Sequence, residues 1–192
     1  MTVDELKKIL ANKLSPKRYR HSINVMETAK KLARAYGENS DKAALAGLLH
    51  DCARDIKGDN IFFHCEKFGI AVNEVSKFQP DLLHGPLGAE IAKYEYGIED
   101  VSILNAIRWH TTGHEHMDKL CKIIYIADYI EPGRSFPGVE EVRQLAYCNL
   151  DDAMITSLDR TIKYVITKGA LLHPDTIDAR NSIIMEKLRT DT

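Results

Sequence analysis

The stretch Ala43-Ala44-Leu45-Ala46-Gly47-Leu48-Leu49-His50-Asp51-Cys52-Ala53 decides the fold and marks the chemistry. Ser40 and Asp41, which lie just before it, are residue types typical of a helix start. The run itself is apolar on every side, which predicts a central helix buried by its neighbours. A carboxylate at the end of such a helix is costly to bury unless it is paired or bound to a metal. The adjacent His50 and Asp51 are therefore the first candidates for a functional site.

Helical patterns continue on both sides of this run. Thr2 and Glu5 form a predicted capping box, and Ser15-Pro16 opens a second helix that ends at Gly37. Further helices are predicted for residues 60–68, from 85 onward, 99–110, 118–130, 138–147, 151–167 and 175–188. The sequence shows neither the alternation typical of β-strands nor an internal repeat, so the predicted fold class is all-α.

Length, composition and charge limit the function. With 192 residues, 44% of them hydrophobic, the chain can bury a large core, and one domain over residues 1–192 is the simplest organisation. The net charge of -2 disfavours nucleic acid as the main partner. No stretch reaches the roughly 20 apolar residues that span a bilayer, so no membrane partner is expected. The four cysteines lack a Cys-x-x-Cys spacing, and reduced thiols in a cytoplasmic protein are expected.

Other histidines and acids lie in surroundings like those of His50 and Asp51. His21 shares a helical stripe with Val25 and Leu32, and Asp128 stands inside an otherwise apolar helix. For His21 alone, a core histidine bonded to a backbone carbonyl is the simpler alternative. Together, the candidates at helix ends or inner faces are four histidines and two acids: His21, His50, Asp51, His84, His110 and Asp128.

Imidazole and carboxylate ligands together suit Fe, Mn, Zn, Co or Ni, whereas Mg and Ca sites are richer in oxygen. Six ligands exceed what one catalytic ion uses while keeping a position open for water. Two ions per chain are therefore predicted, with Asp51 bridging them and the histidines divided between them. Such a pair of ions stabilises the attacking and leaving oxygens of a displacement at phosphorus.

The order of His21, His50-Asp51 and Asp128 resembles that of the HD-domain phosphohydrolases, which are all-α helical bundles that bind metal through this set. Three further motifs resemble the YqeK-like branch of that family: Leu82-Leu83-His84-Gly85-Pro86, Trp109-His110-Thr111-Thr112-Gly113 and Ala127-Asp128-Tyr129-Ile130-Glu131-Pro132-Gly133-Arg134. The resemblance covers about residues 16–134, and the C-terminal helices, residues 138–192, are less diagnostic. His114 departs from the pattern, since Arg or Lys is expected there.

The resemblance implies a symmetrical bis(5'-nucleosyl)-tetraphosphatase that hydrolyses diadenosine tetraphosphate to two ADP through a binuclear centre and a metal-bound hydroxide. Two divalent transition-metal ions are implied, with iron expected and Mn, Co, Ni or Zn as alternatives. An HD-type nucleotidase or pyrophosphohydrolase acting on (d)NTPs or mononucleotides would use the same ligands. A non-catalytic nucleotide-binding module stabilised by metal is the second alternative. In each case a small nucleotide is the partner, and a homodimer is left open.

A tetraphosphate needs cations beyond the metals. Arg18 and Arg54 lie one helical turn from His21 and Asp51, and Arg134 follows Asp128, so each can hold phosphate. A solvent-exposed position is the alternative for each arginine. Asp51 and Arg54 are the predicted catalytic residues. The predicted substrate contacts are Arg18, Arg54, His84, His110, Thr111, Thr112, Gly113 and Arg134. A plain helix-terminating turn is the alternative for residues 111–113.

Several aromatic residues and histidines are assigned no catalytic role. His64, His116 and His173 are expected on the surface, because no acid lies at ligand spacing from them. A satellite hydrophobic core is expected to contain Phe62, Phe63 and Phe68. The sequence does not identify the adenine pocket, for which Tyr129 and Phe136 are candidates without direct support.

Overall fold

The computed structural model describes residues 1–190, and within them it contains helices and no β-strand, which confirms the all-α prediction. Five of the helices carry or flank the predicted ligands: α2, α3, α6, α7 and α8. The helices are α1 (Val3–Lys13), α2 (Pro16–Ala35), α3 (Ser40–Leu49), α4 (Asp59–Phe68), α5 (Glu74–Phe78), α6 (His84–Tyr94), α7 (Val101–Trp109), α8 (Lys119–Ile130), α9 (Val139–Cys148), α10 (Leu150–Thr167) and α11 (Pro174–Thr190).

Most predicted helix starts are correct to within a residue. Thr2 and Glu5 form the capping box at α1. The cap of α3 is Asn39, whose side chain accepts hydrogen bonds from the two N–H groups of Asp41 and Lys42. Two short elements were not predicted: α5 and a 3-10 turn at Pro80–Leu83. Both are too short to show a helical period in the sequence.

Helix α3 lies at the centre, packed against α2, α7 and α8. Leu48 and Leu49 are fully buried. Gly47 allows α2 to approach closely, because a Cβ at this position would lie 3.0 Å from the Met26 Cα. This close packing positions His50, at the end of α3, beside the inner face of α2.

A second close approach joins α6 and α7. A Cβ on Gly85 would lie 2.6 Å from the carbonyl oxygen of Arg108, a separation that only glycine permits. Since His84 and His110 flank this contact in the chain, the missing side chain lets the two imidazoles meet.

The C-terminal helices complete the core. Helix α10 packs against α8, α9 and α11, and the contiguous hydrophobic core extends from Leu6 in α1 to Ile183 in α11. Of the helices described, none combines the length and the apolar character needed to cross a membrane.

Candidate metal centre

The six predicted ligands converge on one buried point. They come from five separate places in the fold: α2, the end of α3, the start of α6, the end of α7, and α8. The Nε2 atoms of His21 and His50 are 3.1 Å apart, and those of His84 and His110 are 3.0 Å apart. The six side chains therefore form two histidine pairs.

The Asp51 carboxylate lies between the two pairs. Its Oδ1 is 3.1 Å from Nε2 of His84 and 3.8 Å from Nε2 of His110. Its Oδ2 is 3.8 Å from Nε2 of both His21 and His50. Each carboxylate oxygen thus faces a different histidine pair, which is the arrangement of a carboxylate that bridges two ions.

Asp128 makes the two sides unequal. Its Oδ1 lies 3.0 Å from Nε2 of His21 and 3.8 Å from Nε2 of His50. We call His21, His50, Asp128 and the Asp51 Oδ2 the His21 half, and we call His84, His110 and the Asp51 Oδ1 the His84 half. The His21 half has one more carboxylate than the His84 half.

Three histidines are oriented by the backbone of their own helix turn. Nδ1 of His50 donates to the Gly47 carbonyl at 2.8 Å, and Nδ1 of His110 donates to the Ile107 carbonyl at 2.7 Å. Nδ1 of His84 makes the same contact with the carbonyl of Asp81. A carbonyl oxygen can only accept, so Nδ1 carries the proton and the Nε2 lone pair points to the centre. Metal-binding histidines are typically held this way.

His21 is oriented by a side chain from α8's C-terminal end. Its Nδ1 lies 3.2 Å from Oε1 of Glu131, which is 4% exposed. Glu131 also accepts hydrogen bonds from Nδ2 of Asn24 at 2.7 Å and from the Gly133 N–H at 2.6 Å. No role had been predicted for Glu131. The sequence does contain a signal for it, since Glu131 directly follows the apolar helix α8. A glutamate in such a place is rarely buried without partners, which indicates a structural or functional contact.

Electrostatics place His50 and Asp51 in the protonation states that a metal requires, whereas the pKa of His21 is raised, because burial, which lowers it, is outweighed by the Asp128 carboxylate. Burial lowers the pKa of His50 to about 4, so this imidazole is neutral at pH 7. Burial alone would raise the pKa of Asp51, but the neighbouring His50, His110 and His84 outweigh it and hold the pKa well below its usual range. Ionised carboxylates and neutral imidazoles are the metal-binding forms of these side chains. The donor set therefore fits divalent metal ions.

Three arginines surround the centre. Nη1 of Arg18 lies 3.2 Å from the Asp51 Oδ2. Arg134 donates to the carboxylate of Asp128 and, at 2.9 Å, to its carbonyl oxygen. Arg54 donates to the carbonyl and carboxylate oxygens of Asp81 at 3.0 and 3.2 Å, and its Nη1 lies 3.2 Å from Nδ1 of His84.

A cavity of about 260 Å³ covers the centre, and we call it the metal cavity. Helix α10 contributes Thr161 to its wall, and α8 contributes two tyrosines; no role had been predicted for Thr161 or Tyr125. The sequence gives no indication that Thr161 and Tyr125 lie at the cavity, because only tertiary packing brings α10 beside α8. The lining residues are Arg18, Asp51, Arg54, His84, His110, Thr111, Tyr125, Asp128, Tyr129, Arg134 and Thr161.

Only part of the predicted phosphate-binding turn reaches this cavity. The Thr111 hydroxyl lies 3.4 Å from Nε2 of His84 and 3.3 Å from Nε2 of His110. Thr112 is buried, and its hydroxyl donates to the Gly113 carbonyl at 3.0 Å. Gly113, with φ of 73°, packs so closely on α11 that a Cβ would lie 2.8 Å from the Ala179 Cβ. The turn therefore directs Thr112 and Gly113 into the protein interior, away from the metal cavity.

The remaining histidines lie apart from the centre. His173 is buried, so the prediction of a surface position is wrong; its Nε2 is 2.7 Å from Nδ2 of Asn73. His116 is exposed and His64 is half-buried. His114 stacks on Trp109, with ring centroids 4.2 Å apart, and does not line the metal cavity.

The aromatic predictions are only partly correct. Phe62 and Phe68 pack against the core, whereas Phe63 is 62% exposed, so its assignment to a satellite core is wrong. Phe63 is two residues from both Ile61 and Cys65, the buried residues of α4, and therefore lies on the opposite face of the helix. Phe136 is exposed and meets Tyr129 edge to face at 5.1 Å.

Comparison with known proteins agrees with this geometry. The HD domain model matches residues 18–133, so the chain belongs to the HD domain family. Over 91% of its length it is 42% identical to the symmetrical bis(5'-nucleosyl)-tetraphosphatase of Halalkalibacterium halodurans, covering 92% of that protein. It is 41% identical to the Staphylococcus aureus protein of the same name, with 94% of each chain covered.

A solved structure has the same fold. It is the crystal structure of a protein from Clostridium acetobutylicum described as a predicted HD superfamily hydrolase involved in NAD metabolism. The two chains are 47% identical, with a TM-score of 0.94 over 97% of this chain and 98% of that one.

Proposed function

We propose that this protein is a symmetrical bis(5'-nucleosyl)-tetraphosphatase that hydrolyses diadenosine tetraphosphate to two ADP. The observation that carries the proposal is the Asp51 carboxylate, whose two oxygens face two separate histidine pairs beneath an arginine-lined cavity. The chain is 41–42% identical, over nearly its full length, to proteins named symmetrical tetraphosphatases, and this similarity supports the proposed substrate. The nucleotidase and the non-catalytic module gain no comparable support.

Two divalent ions are proposed for the two halves. The His21 half would hold one ion through two imidazoles and two carboxylates, and the His84 half would hold the other through two imidazoles and Asp51. Iron is the expected metal, with Mn, Co, Ni and Zn as alternatives suited to the same donors. When bound, such ions act as Lewis acids and lower the pKa of a coordinated water.

The chain's own residues supply position and charge. Asp51 holds the two halves at a fixed separation. Arg18, Arg54 and Arg134 are proposed to contact phosphoryl oxygens and offset the charge that develops on them. Thr111, beside both imidazoles of the His84 half, can donate its hydroxyl to the same oxygens. His84 and His110 also line the cavity and would border the substrate there.

The departing group needs little help from the protein. ADP is already a stable anion, so breaking the central anhydride does not require a strong general acid. The role of the chain is therefore to place the scissile phosphorus over the centre, and correct placement of reactants contributes much of the rate of such reactions.

The products of the reaction test this proposal. Metal-loaded protein prepared without oxygen should convert diadenosine tetraphosphate to ADP alone, with neither AMP nor ATP at early times. In ¹⁸O-labelled water, one of the two ADP products should carry a single label, as direct attack by water requires. Early AMP plus ATP would contradict symmetrical cleavage. Rapid release of phosphate from mononucleotides, with no cleavage of the dinucleotide, would indicate the nucleotidase.

A further inference from the structure

A second, larger cavity adjoins the metal cavity. It measures about 750 Å³, and Arg18, Arg54 and Arg134 line both cavities. The two spaces therefore meet at these three guanidinium groups. We call the second cavity the basic groove, because six cations line it: Lys17, Arg18, Arg20, Arg54, Lys57 and Arg134.

The basic groove carries an excess of positive charge. Its two acidic side chains are already engaged: Glu131 by His21 and Asn24, and Asp55 by Arg18 and the Ser15 N–H. This local excess contrasts with the chain's net charge of -2.

Three of the six cations have no acidic partner. Lys17, Arg20 and Lys57 are exposed, and within the described residues 1–190 no carboxylate lies within 4.0 Å of any of them. The three arginines shared with the metal cavity, by contrast, each pair with a carboxylate. The outer cations of the groove are thus free to bind an anion.

The metal cavity is too small to hold the whole substrate. Pockets for drug-sized ligands measure roughly 300–1,000 Å³. A dinucleoside tetraphosphate is larger than a typical drug, whereas the metal cavity offers about 260 Å³. One nucleoside diphosphate half must therefore lie outside that cavity.

Reaction geometry indicates where this half lies. In an in-line displacement at phosphorus, the leaving oxygen is opposite the attacking oxygen. With attack from the side of the four ligands that line the metal cavity, the departing half leaves on the opposite side, towards the shared arginines. The basic groove lies beyond these arginines: Asp51, His84, His110 and Asp128 line the metal cavity and not the groove, and of the six predicted ligands His21 alone borders the groove.

We propose that the basic groove binds the departing nucleoside diphosphate half of the substrate, with Lys17, Arg20 and Lys57 contacting its phosphates. The inference rests on the proposed function and extends it by assigning the two halves of a symmetrical substrate to two different surfaces. The outer cations are binding residues and take no part in bond breaking. Their contacts exist before and during the reaction, so their removal raises KM and changes kcat little.

The test uses the full metal-loaded chain with Lys17, Arg20 and Lys57 all changed to Ala. Three exposed ion pairs lost together should raise the KM for diadenosine tetraphosphate by about tenfold, with kcat changed less than about twofold. The salt dependence of KM should also become shallower, since fewer ion pairs remain to be screened. Far-ultraviolet circular dichroism should show an unchanged helical signal, as all three residues are exposed.

A matched control removes the same charge elsewhere. Lys8, Lys31 and Lys163 are exposed and lie outside the groove, so their triple Ala variant should keep the wild-type KM. An equal rise in KM in both triple variants would overturn the groove assignment and indicate an effect of net charge. An unchanged KM in the groove variant would overturn it as well.

Failure of the proposed function can be told apart from failure of the groove. If wild-type protein does not cleave the dinucleotide, the proposed function fails, and the groove is tested by calorimetry with ADP as the probe. About tenfold weaker ADP binding in the groove variant, with unchanged binding in the control, would still support a nucleoside diphosphate site. Equal ADP affinity in all three proteins would overturn it.

Discussion

The two halves of the metal centre are built by different means. In the His84 half, both imidazoles are oriented by a carbonyl three residues earlier in the same turn. In the His21 half, His21 depends on Glu131, and Asp128 is bound by Arg134, so the contact between α2 and the end of α8 decides the geometry. The His84 half is thus set by local helix geometry, whereas the His21 half combines one histidine of that kind, His50, with a tertiary contact to His21. Substitutions outside the ligand set should therefore affect the two halves unequally.

Asp51→Ala should have the largest effect, because it removes the one ligand that both halves share. We expect both ions to be lost and activity to fall by more than about 10³, beyond the loss caused by removing a single oxyanion donor. Elemental analysis and turnover assays measure the two effects. Retention of two ions per chain would contradict the bridging role.

The double variant His84→Ala/His110→Ala should separate the halves. The His21 half keeps all four of its donor groups in this variant, whereas the other half loses both imidazoles. The metal content should therefore fall from two ions per chain to one. Anaerobic purification followed by elemental analysis provides the measurement. A value of one in the unmodified protein at saturating metal would overturn the two-ion proposal.

Substitutions of Arg54 and Arg134 should differ in their effect on metal binding, because only Arg134 contacts a ligand of the His21 half. Arg54→Ala should keep both ions and lose turnover by on the order of 10²–10³, as for loss of a donor to a phosphoryl oxygen. Arg134→Ala should lose turnover by a similar factor and also weaken metal binding in the His21 half, since Arg134 holds Asp128. Titration of metal into the apo variants compares them. Full activity in both would place these side chains on a merely solvated surface.

Glu131→Gln should have a smaller effect than the substitutions above, and its effect should be confined to the His21 half. Loss of a charged partner to a metal-binding histidine weakens affinity by roughly 10–100-fold. One of the two ions should therefore dissociate more easily, while the other keeps its wild-type affinity. Glu90→Gln is a suitable control, because Glu90 is also partly buried in an ion pair, with Arg108, but lies outside the metal cavity. Equal weakening of both ions in Glu131→Gln would contradict the proposed division.

The ligands could be predicted from the sequence because their surroundings reveal them. Asp51 and Asp128 stand in apolar helices where an unpaired carboxylate is costly, and this signal is local. Glu131 gives a weaker form of the same signal, and its partner His21 lies 110 residues away in the chain. Tyr125 and Thr161 give none, since a helix's own period shows which face is apolar but not which helix will cover it.

The predictions that placed residues wrongly also failed because the decisive contacts are not local in the sequence. His173 sits in a polar terminal stretch typical of the surface, yet Asn73, from a distant segment, accommodates it in a buried position. Thr112 and Gly113 were grouped with Thr111 because adjacent polar residues look alike in sequence. Only the path of the backbone, with the positive φ at Gly113, separates the one that faces the metal cavity from the two that do not.

The position of Thr161 shows that the C-terminal helices help to form the wall of the metal cavity. All six predicted ligands fall within residues 18–133, the part that the HD domain model matches, whereas Thr161 reaches the metal cavity from α10, beyond that boundary. A chimera that takes α9–α11 from a relative should keep its metal content, because these helices supply none of the predicted ligands, and elemental analysis would measure this.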